Sequence, residues 1–444
     1  MAAIAFTTEH VAGLAPDAAS AAAGRKLAAV AHWDALGRSD AAVWGLCKGS
    51  AVYQVKADLA DFGYHCSCPS RKFPCKHTLA LLTLLATSAE AFATGEPPDW
   101  VVEWLSRRQA RAVRQTEKTE EAASKPVDEQ AQRKRVEKRE NRVREGVERL
   151  DLWMRDLVRS GIAGIESKPA SFWDEQAKRL VDAQAPGLAT CIGRLAELPG
   201  SSPDWPEQLL SELGRLSLAL HAYNRLNTLE EDLAADVRQL IGWNVATEDV
   251  DRDGERVTDD WLLLGQYVAD DGRVRTQRTW AFGAATGRSA LLLQFAAGLQ
   301  PFAEPLLPGA RQRGTLAFYP GRARLRAKFV GREGPPEPIL ERPSGNTIDA
   351  FLGDVAETLS RQPWLATFGG VLREATVVPG EPWHVRDAAG DALPLAASGL
   401  PLAASGHWKL LALTGGHPCD LAGEWDGRRF RPLGVFIEGR YVVA

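Results

Sequence analysis

Cysteine is scarce in this chain. Six in 444 residues are too few for a disulfide-stapled scaffold, and only Cys66, Cys68 and Cys75 lie close together. Charge of one sign is lacking too, since 53 Lys and Arg stand against 57 Asp and Glu, a net of −4. That balance excludes a globally basic nucleic-acid binder, although a local basic patch can hide within the average. No apolar run approaches the ~18 residues of a membrane span; the best, Leu79–Ala86, is far too short. Met1–Glu9 lacks the basic segment and apolar core of a secretory signal. The expectation is a soluble cytoplasmic protein without membrane contact, in a reducing compartment where clustered thiols favour metal over disulfide.

What is present points to several domains. A domain size of about 150 residues gives roughly three, and 45% hydrophobic with 25% charged residues supports a sizeable core. Fourteen Trp select no particular fold. The first segment, 1–106, reads as helix, hairpin, Cys/His cluster, helix. An Ala-rich stretch from Ala18 to Leu36 has helical spacing, and strand-like runs at Val43–Leu46 and Val52–Val55 flank a Lys48-Gly49-Ser50 turn. Leu79–Leu85 forms an apolar helix.

Composition then shifts abruptly. Arg107 to Arg149 holds fourteen basic and nine acidic residues, net +5, with almost no large apolar side chain. Residues 107–146 therefore read as a charged linker or exposed helix, interrupted at Lys125-Pro126. Residues 147–242 read as a helical domain, with Val147, Leu150, Met154, Leu157 and Val158 on one face and Leu209, Leu213, Leu216, Leu220, Tyr223 and Leu226 on another. Residues 243–444 read as an α+β domain of unknown role. Its turns fall at Asp270-Asp271-Gly272, Pro320-Gly321 and Asp426-Gly427, and Asn346 is read as the N-cap of a helix carrying Ile348, Phe351 and Val355. A tandem copy, Leu393–Gly399 and Leu400–Gly406, reads as a surface-loop duplication.

The chemistry lies in Cys66-Ser67-Cys68-Pro69-Ser70-Arg71-Lys72-Phe73-Pro74-Cys75-Lys76-His77. Residues two apart on extended backbone point the same way, so Cys66 and Cys68 share one ion. The proline-ended loop returns the chain, and Cys75 and His77 sit where a helix begins and its amide dipoles favour thiolate. Three thiolates and an imidazole suit one tetrahedral, structural Zn2+ with no open position. An iron–sulfur site or a redox switch would use the same residues, and His65 reads as a flanking polar residue. Arg71, Lys72 and Lys76 offset the site's negative charge and form the candidate contact surface for nucleic acid or a partner.

The C-x-C, gap, C-x-H pattern resembles the SWIM-type zinc finger, and Trp44–Ser50 with Pro98–Trp104 is similar to stand-alone bacterial members. The resemblance implies a DNA-binding or protein-interaction module. It further implies partners such as a MoxR-type ATPase or a von Willebrand A-domain protein. The fold expected is α+β: a small zinc-stabilised ββα-like N-terminal module, a charged linker, a helical middle domain and a strand-rich C-terminal domain.

Other features carry less. Gly283–Ser289 comes near a P-loop, but its glycines are one residue too close and Arg288 replaces the phosphate-binding Lys. His417, Cys419, Asp420 and Glu424 lack a spaced base or further ligand pair, and Cys47 and Cys191 read as core residues. In the charged run, Arg133, Lys134, Arg135, Lys138, Arg139, Arg142 and Arg144 are interleaved with Glu137, Glu140 and Glu145, and no aromatic stacks on bases. The first functional reading is a non-catalytic adaptor. DNA binding through the basic zinc loop and linker is the alternative. An enzyme hidden in the C-terminal domain is a third, with His384, His407 and Glu424 as its scattered polar residues.

Overall fold

The computed structural model describes residues 8, 11, 14–16, 18–59, 63–70, 72–110, 129–270, 274–298, 300, 302–396 and 406–443. In the N-terminal module, α1 (Ala18–Leu27) leads to β1 (Trp33–Arg38), β2 (Ala42–Lys48), β3 (Val52–Asp58), β4 (Tyr64–Cys66), α2 (Lys76–Thr87) and β5 (Ala93–Thr94); helix α3 covers residues 99–110. The strands form a sheet in the order β4-β3-β2-β1-β5. The helix expected over Ala18–Leu36 ends at Leu27, and residues from Trp33 pair with β2 instead, Trp33 opposite Cys47. Burial of Trp33 in the module core outweighs the local helix propensity. Leucines 79, 81, 82, 84 and 85 of α2 are all buried, because the helix lies between α1 and β3.

The middle of the chain is helical: α4 (Glu129–Arg159), α5 (Ala170–Asp182), α6 (Pro186–Ala196), α7 (Trp205–Tyr223) and α8 (Glu231–Ile241). Helix α4 runs unbroken across residue 146. Val143, Val147, Leu150, Met154 and Leu157 form one buried stripe on it, at the spacing that lines one helical face. The C-terminal part of the charged run is thus the first helix of the bundle. The Lys125-Pro126 interruption lies outside the described residues.

After α9 (Thr247–Asp253) come β6 (Glu255–Asp270), β7 (Val274–Gly283), β8 (Ser289–Ala297), β9 (Ala310–Phe318) and β10 (Arg326–Arg332). They pair in the order β10-β8-β7-β6-β9, and β9 also pairs with β10, closing a barrel. β8 and β10 are parallel while the other pairs are antiparallel, the strand order of an OB-type Greek-key barrel. Trp261, Leu263, Ala281, Leu292, Phe318 and Phe329 fill its interior.

The short β11 (Glu337–Pro338) and α10 (Ile348–Arg361) precede the last sheet. Its strands are β12 (Phe368–Val378), β13 (His384–Arg386), β14 (Ala392–Pro394), β15 (Cys419–Trp425), β16 (Phe430–Ile437) and β17 (Arg440–Val443), in the order β14-β13-β12-β15-β16-β17, with α11 (Gly406–Thr414) inserted. Thr347, not Asn346, caps α10: its side chain accepts from the Ala350 amide, while Asn346 pairs through its backbone with Leu372 and donates its amide to Asp354 at 2.7 Å. Asp426-Gly427 joins β15 to β16, and Pro320-Gly321 lies between β9 and β10. Asp270 ends β6, while Asp271 and Gly272, like most of the tandem copy, lie outside the described residues.

Candidate metal centre

The centre is built on β4, where alternation turns Tyr64 and Cys66 to one side and His65 to the other, opposite Lys56 of β3. Just beyond it the Ser67 amide donates to Gln54 O at 3.0 Å, and the Gln54 amide donates to Ser67 Oγ at 2.9 Å. This clasp holds the backbone between Cys66 and Cys68. The loop then folds back, with the Lys72 amide donating to Ser70 Oγ and the Phe73 ring 4.7 Å from that of Tyr64. Cys75 takes the N-cap position of α2, and His77 lies in the first turn.

The donor atoms of Cys66, Cys68, Cys75 and His77 all lie within 4.8 Å of one another. His77 Nδ1 is 3.7 Å from Cys66 Sγ and 4.0 Å from Cys75 Sγ. Zn–S near ~2.3 Å and Zn–N near ~2.0–2.1 Å require tetrahedral edges of about 3.5–3.8 Å, so the set fits zinc once its widest edge shortens by about 1 Å. Its electrostatics agree. Cys75 is held well below the ordinary thiol range, first by hydrogen bonding from Cys66 and then, against the cost of burial, by His77 and Thr78. Cys66 is pushed up by the same partnership and by burial. One thiolate is thus poised while its neighbours retain protons that a divalent cation would displace. Zinc bound here would supply a structural cross-link between β4 and α2.

The same cluster is the one group of this kind among the described residues. His65 stands outside it. Lys72 and Lys76 are exposed beside it, and Arg71 lies outside the described residues. Cys47 is buried in the module core, and Cys191 packs half-buried against the bundle. Residues missed in the sequence are Ser20, Ser50 and Tyr53, which α1 and the β2–β3 hairpin bring alongside the centre. Tyr53 stacks on His77 with ring centroids 4.8 Å apart. An aromatic at the start of the strand preceding the cluster was the available signal.

The remaining sites resolve into structural contacts. Gly283–Ser289 is a turn whose anion-binding amides are already taken: Asp259 accepts from the amides of Ala285 and Thr286 and from the Thr286 hydroxyl. Glu424 pairs with Arg278, and Asp420 with Arg342. His384 faces Pro382 O and His407 faces Ala396 O, so these residues do not converge. In the charged run, Arg139 lies over the Trp243 ring at 5.3 Å, while Lys134, Lys138, Arg142 and Arg144 are exposed.

Residues 53–86 match the family model of the SWIM zinc finger, and residues 138–241 that of the SWIM-associated four-helix bundle domain. The chain thus carries a SWIM-type zinc finger whose Cys66, Cys68, Cys75 and His77 can hold one zinc ion, followed by the helical domain that accompanies such fingers. No curated protein and no solved structure matches the chain. Among the described residues, no helix is long and apolar enough to cross a membrane.

Proposed function

We propose that this chain is a non-catalytic adaptor in which zinc rigidifies a finger that engages a partner protein. The observation that carries this reading is the donor set. Three thiolates and one imidazole fill the four positions of a structural zinc site and leave none for substrate or an activated water. Support also comes from the way the finger is mounted. Leu307 and Ala310, at the entry to β9, share the hydrophobic core of the N-terminal module, so the barrel serves as its platform. A MoxR-type ATPase or a von Willebrand A-domain protein is the partner that the family resemblance implies.

The test is capture by the intact, zinc-loaded chain on beads, with and without nuclease. A protein retained after nuclease treatment is the expected result. Loss of that protein on nuclease treatment, with DNA retention that falls steeply as salt rises, would replace the adaptor by a DNA-binding protein contacting phosphate through Lys72 and Lys76.

A further inference from the structure

We propose that the cleft beside the metal centre is the finger's recognition site, and that it receives one acidic side chain of an extended peptide; this rests on the adaptor reading. A cavity of about 440 Å³ opens between α1, the β2–β3 turn, the zinc loop and the start of α2. Sites for small ligand groups span roughly 300–1,000 Å³. Ala19 and Ala23 leave room on one wall, and the polar lining consists of serine hydroxyls, Tyr53, Cys68, Lys72, Lys76 and His77. No carboxylate lines it among the described residues.

The observation that points to a ligand is at His77. Only 5% exposed, it lines this cleft while its Nδ1 faces the sulfurs of Cys66 and Cys75. Stacking on Tyr53 pins the ring. With Nδ1 turned to the metal, the ring's proton resides on Nε2, and that nitrogen has no hydrogen-bond partner among the described residues. Metal-binding imidazoles almost always donate this second N–H to a carboxylate, carbonyl or water. A ligand carboxylate would accept it, with the ammonium group of Lys76 on the same cleft to balance its charge.

The cleft fits one oxyanion better than a nucleic-acid strand. Two described cations give no track for successive phosphates. The aromatic ring on hand, Tyr53, is already stacked on His77 rather than offered to a base. Small residues on the walls, Ala19, Ala23, Gly49 and Pro69, suit the backbone of a peptide instead.

The test uses the zinc-loaded full chain labelled with 15N-histidine. Two pools of N-acetylated hexapeptides, identical except for a central Glu or Gln, are titrated in parallel with a short DNA duplex. The Glu pool is expected to shift the His77 Nε2 resonance saturably and the Gln pool to do so at least tenfold more weakly, about the worth of one charge-assisted hydrogen bond. Lys76→Glu should weaken the Glu response by a similar factor, and Ala23→Trp should abolish it by filling the cleft, both with zinc content unchanged. Equal responses to the two pools, no response to either, or a response to DNA alone would overturn the proposal. If the cleft fails this test while nuclease-resistant capture persists, the adaptor reading stands and only its recognition site moves.

Discussion

Cys75 holds two positions at once: it occupies the N-cap site of α2, without a side-chain cap hydrogen bond, and its sulfur would supply one of the four bonds to a zinc ion. Its sulfur lies 3.5 Å from Thr78 Oγ1 and belongs to a donor cluster no wider than 4.8 Å. Cys75→Ser should reduce zinc from one equivalent to near none and remove the thermal transition of the N-terminal module, because metal-binding free energy is folding free energy in so small a unit. Metal analysis with calorimetry checks both outcomes; a variant that kept its zinc would overturn the ligand assignment. Cys419 provides the contrast. Its thiol donates to Ala375 O at 3.4 Å, and burial pushes its pKa up to about 12, so it is not a thiolate, and among the described residues it belongs to no cluster of metal-ligating groups. Cys419→Ser should leave the zinc content unchanged, and a fall in stoichiometry would reveal a second metal site.

Between elements, the decisive contact joins the outside of the barrel to the last sheet. Glu424 on β15, 2% exposed, accepts from Arg278 Nε at 2.8 Å and from Trp280 Nε1 at 2.9 Å, both on β7. Leu262 and Leu264 of β6 meet Val371, Ala422 and Tyr441 beside it, and the Tyr441 hydroxyl donates to Leu264 O. Glu424→Ala would strand a guanidinium and an indole N–H in this interface and should cost about 3–5 kcal/mol, read as a lower denaturant midpoint; a change below about 1 kcal/mol would show that water replaces the carboxylate. None of this pairing was legible in the sequence, where Glu424 drew notice only as a scattered polar residue without a spaced partner. The helices with a continuous apolar stripe, α2, α4, α7 and α10, were legible, as were the Pro320-Gly321 and Asp426-Gly427 turns, because periodicity and Pro-Gly or Asp-Gly steps are local; α1 was read too long, and α5, α6 and α8 were not picked out individually. The zinc ligands were legible for the same reason, lying within twelve consecutive positions from Cys66 to His77. Barrel closure was not, since β8 meets β10 across an intervening strand. Nor was the cleft, whose walls come from α1 and from a separate hairpin, both outside the cluster's own stretch of sequence.

At the scale of the whole molecule, the bundle is fastened to the barrel at the β9–β10 turn, and one carboxyl makes that joint sensitive to pH. Asp236 of α8, 5% exposed, accepts from the Arg322 amide at 2.9 Å. Gly321, at φ +150°, allows the approach, since a Cβ there would lie 2.3 Å from Asp236 Oδ1. Arg322 also pairs with Glu230, and Arg324 with Asp232 and Glu255. Burial raises the Asp236 pKa to about 6, with Asp232 adding to the rise and the Arg322 amide and charge opposing it. An acid whose pKa is higher when folded than when unfolded binds its proton more tightly in the native state. Its contribution is therefore most favourable below the unfolded value near ~4 and is lost as pH rises through about 6. Across that window the wild type should lose roughly 2–3 kcal/mol relative to Asp236→Asn, which keeps an acceptor for the Arg322 amide but cannot ionise. Urea midpoints of the two proteins, compared at successive pH values between those limits, give the difference directly. A difference that stays flat, or grows in favour of the wild type as pH rises, would mean that the Arg322 side holds Asp236 ionised and that the joint is a permanent ion pair.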